Sequence, residues 1–207
     1  MVAVIPSWRI ERALWRAGHA RVAGVDEVGR GPLAGPVVAG AVVLPVSRAA
    51  WVRGLRDSKL LSPHAREALA ASIRAHADWS IGIVSPHVID QIGIVWATRL
   101  AMRRAVEGLR QRPDVLIVDG REVVSAGMDE RAVIDGDALC VSVAAASIVA
   151  KVARDALMQH LDAAFPEYGF ARNMGYATSD HREALARLGP STQHRQSWRP
   201  VRAAATR

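Results

Sequence analysis

Two acidic residues stand side by side where an apolar segment near the start of the chain ends. Asp26 and Glu27 follow the valine-rich residues 21–25 and precede a glycine-rich turn. Two ionised carboxylates at the end of a buried strand are costly to hold unless a cation accompanies them. The pair therefore indicates a divalent metal site, although two solvated loop acids would give the same pattern.

Two further acids occupy comparable positions. Asp119 ends the apolar segment 114–118 and is followed by glycine, and Asp137 lies just before an alanine-rich helix. Each alone is typical of a turn. If Asp26 and Asp119 end neighbouring strands, their carboxylates reach one ion, and oxygen ligands without His or Cys favour Mg²⁺ or Mn²⁺ over zinc. Four such acids in a basic chain suggest phosphodiester hydrolysis by two metal ions.

The turn after the acidic pair places Gly29 and Gly31 on either side of Arg30. Glycines let backbone amides approach a phosphate or a sugar closely, and the guanidinium attracts the negative charge. Gly29, Gly31 and Ala34 also match the loose dinucleotide-binding fingerprint. That match fails on context, because the prolines that follow lead into a β-branched strand and not into a helix.

Composition places the chain among globular proteins. It has 207 residues, of which 50% are hydrophobic and 23% charged, and this argues for one domain and against disorder. The 27 basic and 20 acidic residues give a formal charge of +7. Lys59 and Lys151 are the two lysines. The excess of arginine reflects either coding bias or a preference for phosphate oxygens, and the charge alone does not decide between them.

The sequence contains no pattern for a membrane span or a signal peptide and only one cysteine, which bears on localisation and redox state. No apolar run approaches the roughly 18–20 residues of a membrane span, and the first residues do not resemble a signal peptide. We therefore expect a cytoplasmic protein without membrane contact. Cys140 is the single cysteine, so an internal disulfide and a thiolate zinc cluster are both excluded.

Hydrophobic periodicity predicts strands interleaved with helices, and hence an α/β domain around one mixed sheet. We expect an N-terminal helical segment over residues 1–19, a main domain over 20–188 and a basic tail of low periodicity over 189–207. Helices are predicted at residues 7–18, 63–76, 86–109, 144–164 and 182–188, of which 86–109 is the longest. Strands are predicted at residues 21–26, 36–44, 78–85 and 114–119, with a weaker strand around 132–135.

Taken together, the motifs resemble bacterial ribonuclease HII from about Val22 to Val201. The matching segments are GVDEVGRGPLAGP (24–36), DSKLLS (57–62), VDG (118–120), GD (136–137), AAASIVAKV (144–152) with RD (154–155), YGF (168–170) and GY (175–176). The resemblance implies the ribonuclease H fold, a mixed β-sheet flanked by helices with a helical C-terminal extension. It also implies an endonuclease that cleaves RNA in RNA–DNA hybrids and cuts 5′ of single ribonucleotides in duplex DNA, leaving 3′-hydroxyl and 5′-phosphate ends.

The resemblance also implies roles for individual residues. The catalytic and metal-binding carboxylates, with Mg²⁺ or Mn²⁺ as cofactor, are Asp26, Glu27, Asp119 and Asp137. The loop that senses the ribose 2′-hydroxyl is Gly29, Arg30 and Gly31. The aromatic residue that stacks on the neighbouring deoxyribose is Tyr176, with Tyr168 as the less favoured candidate.

Phosphate contacts are suggested for Lys59, and for Ser147 and Lys151, which share one helical face. A structural pair between Lys151 and Asp155 explains that spacing equally well, and Lys59 also fits an ordinary surface lysine. Departures from the family pattern are Gly93, expected to loosen its helix by about 1 kcal/mol relative to Ala, and Met174 and Trp198. None of the three is one of the carboxylates.

Two other functions compete with the nuclease. A non-catalytic hybrid-binding protein of the same fold has no reason to keep four mutually repelling acids. A DNA-directed nuclease of the same superfold does not explain Gly29, Arg30 and Gly31 together with Tyr176. The expected partners are RNA–DNA hybrids and DNA containing ribonucleotides, bound by a monomer. The sequence leaves open whether a sliding clamp contacts the chain.

Overall fold

The computed structural model describes residues 5–46, 49–121 and 123–205, so the outermost residues of the two predicted terminal segments lie outside the description. The helices are α1 (Arg9–Arg16), α2 (Ala50–Arg53), α3 (Pro63–His76), α4 (Pro86–Ile92), α5 (Ile94–Glu107), α6 (Gly136–Leu139), α7 (Val141–Ala164), α8 (Phe170–Asn173), α9 (Ser179–Leu188) and α10 (Arg199–Ala205). The strands are β1 (Val22–Val28), β2 (Val37–Val43), β3 (Asp78–Val84), β4 (Val115–Asp119) and β5 (Asp129–Val133). Short 3-10 turns cover Ser58–Leu60 and Pro166–Tyr168.

The five strands form one mixed sheet in the order β3-β2-β1-β4-β5. β1, β2 and β3 pair antiparallel, whereas β4 lies parallel to β1 and to β5. Val25 is opposite Val118, so the next residues along the two parallel strands are Asp26 and Asp119. The predicted mixed sheet flanked by helices is confirmed, and so is the adjacency of these two strand ends.

Two long helices cover opposite faces of the sheet, and glycines in the strands permit their close approach. A Cβ atom at Gly24 would fall inside the backbone of Ser142, and one at Gly40 would meet the carbonyl of Ala146, both on α7. On the other face, a Cβ at Gly82 would meet the carbonyl of Ala101 on α5. Helix α7 therefore lies directly on β1 and β2.

The predicted helix over residues 86–109 is wrong as a single element. Gly93 has a φ of +78°, a conformation that ends α4 and begins α5. The apolar periodicity continues through this break, because both helices bury the same side. The prediction treated Gly93 as a weak point within one helix, whereas it separates two helices. The longest helix is α7, with 24 residues.

Two other segments differ in detail from the hydrophobic pattern. β5 spans Asp129–Val133, a few residues before its predicted position, and its mostly exposed residues explain the weak signal. The C-terminal segment contains α10, and Val201 is buried against Leu33 and Leu185. Asp90 on α4 also accepts hydrogen bonds from the backbone amides of Gln196 (2.8 Å) and Ser197 (2.9 Å). This polar segment thus packs against the rest of the chain through Val201, Gln196 and Ser197.

The N-terminal helix is attached to the start of α7 by one buried carboxylate. Glu11 accepts hydrogen bonds from the backbone amide and the hydroxyl of Ser142, each at 2.9 Å. Burial raises the pKa of Glu11, and the hydrogen bonds from Ser142 oppose that rise. Helix α1 therefore supplies the capping acceptor that α7 lacks in its own sequence, since Cys140 at the N-cap offers no side-chain hydrogen bond. Within the described ranges, no helix has the length and apolar character needed to cross a membrane.

Candidate active site

The predicted carboxylates gather at the carboxyl end of the β1–β4 pair. Side chains alternate along a strand, so Asp26 shares the face of Gly24 and Gly40 and points towards α7, as does Asp119. The Oδ1 atom of Asp119 accepts a hydrogen bond from the Gly136 amide at 2.7 Å. That bond holds the start of α6, and with it Asp137, beside the strand ends.

Asp26 and Asp137 are buried, Glu27 and Asp119 are partly buried, and their negative charges repel one another. Desolvation raises the pKa of Asp26 well above its usual value, and the charges of Glu27, Asp119 and Asp137 raise it further, against the interaction with the Ser147 hydroxyl. Burial also raises the pKa of Glu27, where Arg30 opposes it, and that of Asp137, where Asp57 and Asp119 add to it. A positive charge placed among these groups would relieve both burial and repulsion.

Two cationic side chains supply part of that charge. Arg30 lies 3.5 Å from Glu27, measured from Nη1 to Oε1, and Lys59 lies 3.5 Å from Asp137, measured from Nζ to Oδ2. Burial would lower the pKa of Lys59, but Asp137, Asp57 and Asp26 outweigh it and raise that pKa. The ammonium of Lys59 therefore stays charged at the edge of the acidic cluster, with its side chain 78% exposed.

The donor set suits a hard divalent cation, because all four predicted ligands offer carboxylate oxygens and neither His nor Cys is among them. Within residues 5–46, 49–121 and 123–205, however, no three His, Cys, Asp or Glu side chains converge as a ready ligand group. The residues fit the cation by the chemistry of their oxygen donors.

The predicted phosphate-binding residues divide into two situations. Ser147 lies inside the site, with its hydroxyl 3.0 Å from that of Ser58 beside Lys59. Lys151 is one turn further along α7 and donates to Asp155 at 2.6 Å; Arg66 pairs with the same carboxylate at 3.3 Å. The structure thus has the Lys151–Asp155 ion pair that the spacing allowed, and Lys59 is the more exposed of the two lysines.

The glycine loop and Tyr176 lie against each other. A Cβ atom on Gly31 would lie 3.6 Å from Cε1 of the tyrosine ring, and this ring is 45% exposed. Tyr168 is 8% exposed, stacks on Phe170 at 5.4 Å and donates its hydroxyl proton to the Gly189 carbonyl at 2.8 Å. The geometry assigns Tyr168 to the core and leaves Tyr176 accessible beside the loop.

A chain of two buried histidines ends on the backbone of Tyr176. The Ser191 amide donates to Nδ1 of His194 at 3.0 Å, so the proton of the neutral ring is on Nε2. That atom faces Nε2 of His181 at 3.0 Å, which leaves Nδ1 of His181 to donate to the Tyr176 carbonyl at 2.8 Å. Burial lowers the pKa of both rings, that of His194 to about 4, so both histidines are neutral at neutral pH.

Sequence reasoning missed four residues that support this site: His181, His194, Arg154 and Arg195 are all fully buried or nearly so. Arg154 stood inside a matched motif without an assigned role. Arg195 was one arginine among many in a segment that looked like a solvated tail. No local signal separates a buried arginine from an exposed one in such a chain, because what buries it is contact with loops far away in sequence.

Comparison with known proteins agrees with this architecture. The family model described as Ribonuclease HII matches residues 23–201. The chain is 51% identical to a ribonuclease HII of Moorella thermoacetica over 199 residues, covering 96% of this chain and 95% of that one. It is 50% identical to a ribonuclease HII of Desulfitobacterium hafniense over 194 residues, covering 93% of this chain and 74% of that one.

Solved structures have the same fold. The ribonuclease H2 of Pyrococcus horikoshii superposes with a TM-score of 0.77 at 30% identity, covering 90% of this chain and 97% of that one. The ribonuclease HII of Archaeoglobus fulgidus, determined in complex with PCNA, has a TM-score of 0.73 at 30% identity, covering 86% of this chain and 95% of that one. With the family model spanning most of its length, and with relatives matched almost end to end, the chain belongs to the ribonuclease HII family.

Proposed function

We propose that this ribonuclease HII, a nuclease of RNA–DNA hybrids, also cuts duplex DNA on the 5′ side of a single embedded ribonucleotide and leaves 3′-hydroxyl and 5′-phosphate ends. The observation that carries the proposal is the proximity of Gly31 to the ring of Tyr176, where a Cβ atom on Gly31 would lie 3.6 Å from Cε1, next to the acidic cluster. A backbone loop facing an exposed aromatic ring suits the recognition of one sugar, because the loop can reach the 2′-hydroxyl while the ring stacks on the neighbouring deoxyribose.

We further propose that Asp26, Glu27, Asp119 and Asp137 hold Mg²⁺ or Mn²⁺. When bound, the metal ions supply activation of the attacking water and stabilisation of the leaving oxygen. The chain contributes four carboxylates, and burial and neighbouring charges raise the pKa of Asp26 and Asp137, a rise that added positive charge would oppose. Lys59 and Ser147 lie where they can bind the phosphate next to the cleaved bond.

The competing function is hybrid binding without cleavage. The burial of Asp26 opposes it, because a binding surface for a polyanion gains nothing from a desolvated carboxylate surrounded by other acids. A nuclease directed at DNA alone would not need Tyr176 and the glycine loop in contact. We also expect the chain to act as a monomer, which light scattering in solution would test.

The decisive experiment uses duplex DNA carrying one ribonucleotide, incubated with and without Mg²⁺ or Mn²⁺, followed by mapping of the cut. We expect a single cut 5′ of the ribonucleotide that requires the metal. The all-DNA duplex of the same sequence is the matched control. An uncut ribonucleotide duplex, with long hybrids still cleaved, would restrict the activity to hybrids. Binding without cleavage of either substrate would support the competing function.

A further inference from the structure

The loop that follows the acidic pair, residues 29–36, consists of glycines, prolines and three other residues, and contains no helix or strand beyond an isolated β-bridge between Ala34 and His194. Gly29 and Gly35 have φ values of +93° and +84°. Backbone carbonyls in such a loop need hydrogen-bond donors from elsewhere in the protein, because buried carbonyls without a donor would destabilise the fold. The source of these partners therefore decides how rigidly the loop is held.

Arg195 supplies most of them. This residue is 0% exposed, and its guanidinium donates to the carbonyls of Gly29, Arg30 (2.8 Å) and Gly35 (3.0 Å). Its own backbone amide donates to the Leu33 carbonyl at 2.8 Å. Within the described part of the chain, every hydrogen-bond partner of the Arg195 side chain is a backbone carbonyl. The planar fork of arginine suits this task, because one side chain can donate in several fixed directions.

A second buried arginine holds the other side of the loop. Arg154 on α7 donates to the carbonyls of Pro36 (3.1 Å) and Ala34 (3.4 Å), and also to that of Met174 (3.0 Å), two residues before Tyr176. The amide of Leu33 donates to the Gly175 carbonyl at 2.8 Å. The glycine loop and the tyrosine segment are thereby joined, and Arg195 secures the end of the loop nearest the acidic cluster.

The direction of these bonds bears on recognition. In a trans peptide the carbonyl and the N–H point in opposite directions, and the described residues contain no cis peptide bond. When Arg195 binds the carbonyls of Gly29 and Arg30, the N–H groups of Arg30 and Gly31 point away from its buried guanidinium. Gly31 lies beside the ring of Tyr176, since a Cβ atom on it would be 3.6 Å from Cε1, and the proposed function places the ribose at this ring.

We propose that Arg195 is a positioning residue for ribonucleotide recognition: by binding the carbonyls of Gly29 and Arg30 it fixes the opposite amides in the orientation that reads the 2′-hydroxyl. This inference rests on the proposed function. Loss of the fork leaves the carboxylates in place and frees the loop backbone. Misplacement of donors by about 1 Å is enough to cost a large factor in recognition.

The test measures the affinity of full-length protein for two duplexes that differ by one 2′-hydroxyl, with Ca²⁺ as the only divalent cation and with gels verifying intact substrate. The readout is the ratio of the two dissociation constants. We expect Arg195→Met to lower that ratio about tenfold or more, and Arg195→Lys, which keeps the charge but not the fork, to lower it less. A general loss of folded protein weakens both affinities equally and leaves the ratio unchanged.

The matched control is Ile73→Ala, which shortens a fully buried side chain on α3, away from the loop. Urea unfolding of each variant identifies any loss of stability. An unchanged ratio in the folded Arg195 variants, with a clear preference in the unsubstituted protein, would overturn this inference alone. Equal binding of both duplexes by the unsubstituted protein would overturn the proposed function with it. Failure of both Arg195 variants to fold would assign the residue a structural role and also overturn the inference.

Discussion

The two halves of the site are held together in opposite ways. The proposed catalytic half has carboxylates at the ends of β1 and β4 and in α6, and burial and the neighbouring acidic charges raise the pKa of Asp26 and Asp137. The recognition half is fixed by buried arginines that bind backbone carbonyls and by two neutral histidines that end on Tyr176. Under the proposed function, the catalytic half would need an added cation to offset its acids, whereas the recognition half is held by the positive charges of Arg154 and Arg195.

The largest effect is expected for Asp119→Asn, which changes only the catalytic half. The amide keeps an oxygen for the Gly136 N–H but loses the negative charge, so we expect turnover on hybrid substrate to fall by about 10³-fold or more. Hybrid affinity should change little, since the recognition half is untouched. The measurements are single-turnover cleavage and binding to the same substrate.

The control for that variant is Asp114→Asn, just before the other end of the same strand. Asp114 accepts a hydrogen bond from the Arg21 amide at 2.7 Å, and asparagine can also accept it. This variant should keep its activity. Turnover by Asp119→Asn equal to that of the control would remove Asp119 from the metal site.

The recognition half should respond to acid through its histidines. The pKa of His194 is lowered to about 4 by burial and by the nearby His181, against about 6.5 in an unfolded chain. Its contribution to stability is therefore complete above about pH 6.5 and is lost as pH falls towards 4. By pH 5 we expect a loss of about 2 kcal/mol in the free energy of unfolding from this group.

Urea unfolding at pH 7 and pH 5 measures that loss. Both rings of the pair lie among Tyr168, Phe170 and Ser191, and within the described residues no hydrogen bond or ion pair joins either ring to a carboxylate. His194→Gln should reduce the difference between the two pH values, and His64→Gln, at an exposed position, should not. A pH difference that is the same in all three proteins would show that the pair does not titrate as described.

The contrast between the halves also explains what sequence could predict. Asp26 and Asp119 are recognisable because an acid at the end of an apolar strand is a local pattern, and strand adjacency then brings them together. The mixed sheet and the caps at Ser62 and Ser85 follow from equally local signals. These features need only the residues that surround them.

The recognition half depends on long-range contacts that no local pattern contains. Arg195 binds loop carbonyls about 160 residues earlier in the chain, and its sequence neighbours are polar. The same limit applies to Glu11, which caps a helix that begins 130 residues later. The prediction of one helix through Gly93 was wrong for another reason. The positive φ of Gly93 is a backbone property, and the hydrophobic period on either side conceals the break.

Tyr176→Ala tests whether recognition can be weakened without loss of catalysis. Stacking on an aromatic ring is worth about 1–3 kcal/mol, so we expect cleavage at a single ribonucleotide to fall about tenfold relative to a long hybrid. The ratio of kcat/KM for the two substrates is the measurement. Tyr176→Phe should keep the ratio.

Tyr168→Phe provides the comparison within the core. It removes the hydroxyl that donates to the Gly189 carbonyl, and we expect a loss of about 1 kcal/mol in stability with no change in substrate preference. Equal losses on both substrates for Tyr176→Ala would instead assign that tyrosine to folding.

The smallest expected effect distinguishes the two lysines. Lys59 is exposed at the edge of the acidic cluster, whereas the ammonium of Lys151 is 2.6 Å from Asp155 and shares it with Arg66. A lysine that binds a phosphate contributes about one unit to the slope of log affinity against log salt. Lys59→Ala should therefore lower the slope by about one and weaken affinity a few-fold, while Lys151→Ala leaves the slope unchanged.

Binding titrations over about 50–200 mM salt measure both slopes. Because the variants differ only in which lysine is lost, their net charges are equal, and any general attraction of the basic protein for nucleic acid changes equally in both. A reduced slope for Lys151→Ala would mean that the substrate displaces Asp155 from its ion pair. Equal slopes in all three proteins would show that Lys59 serves the carboxylates, through Asp137, and not the phosphate.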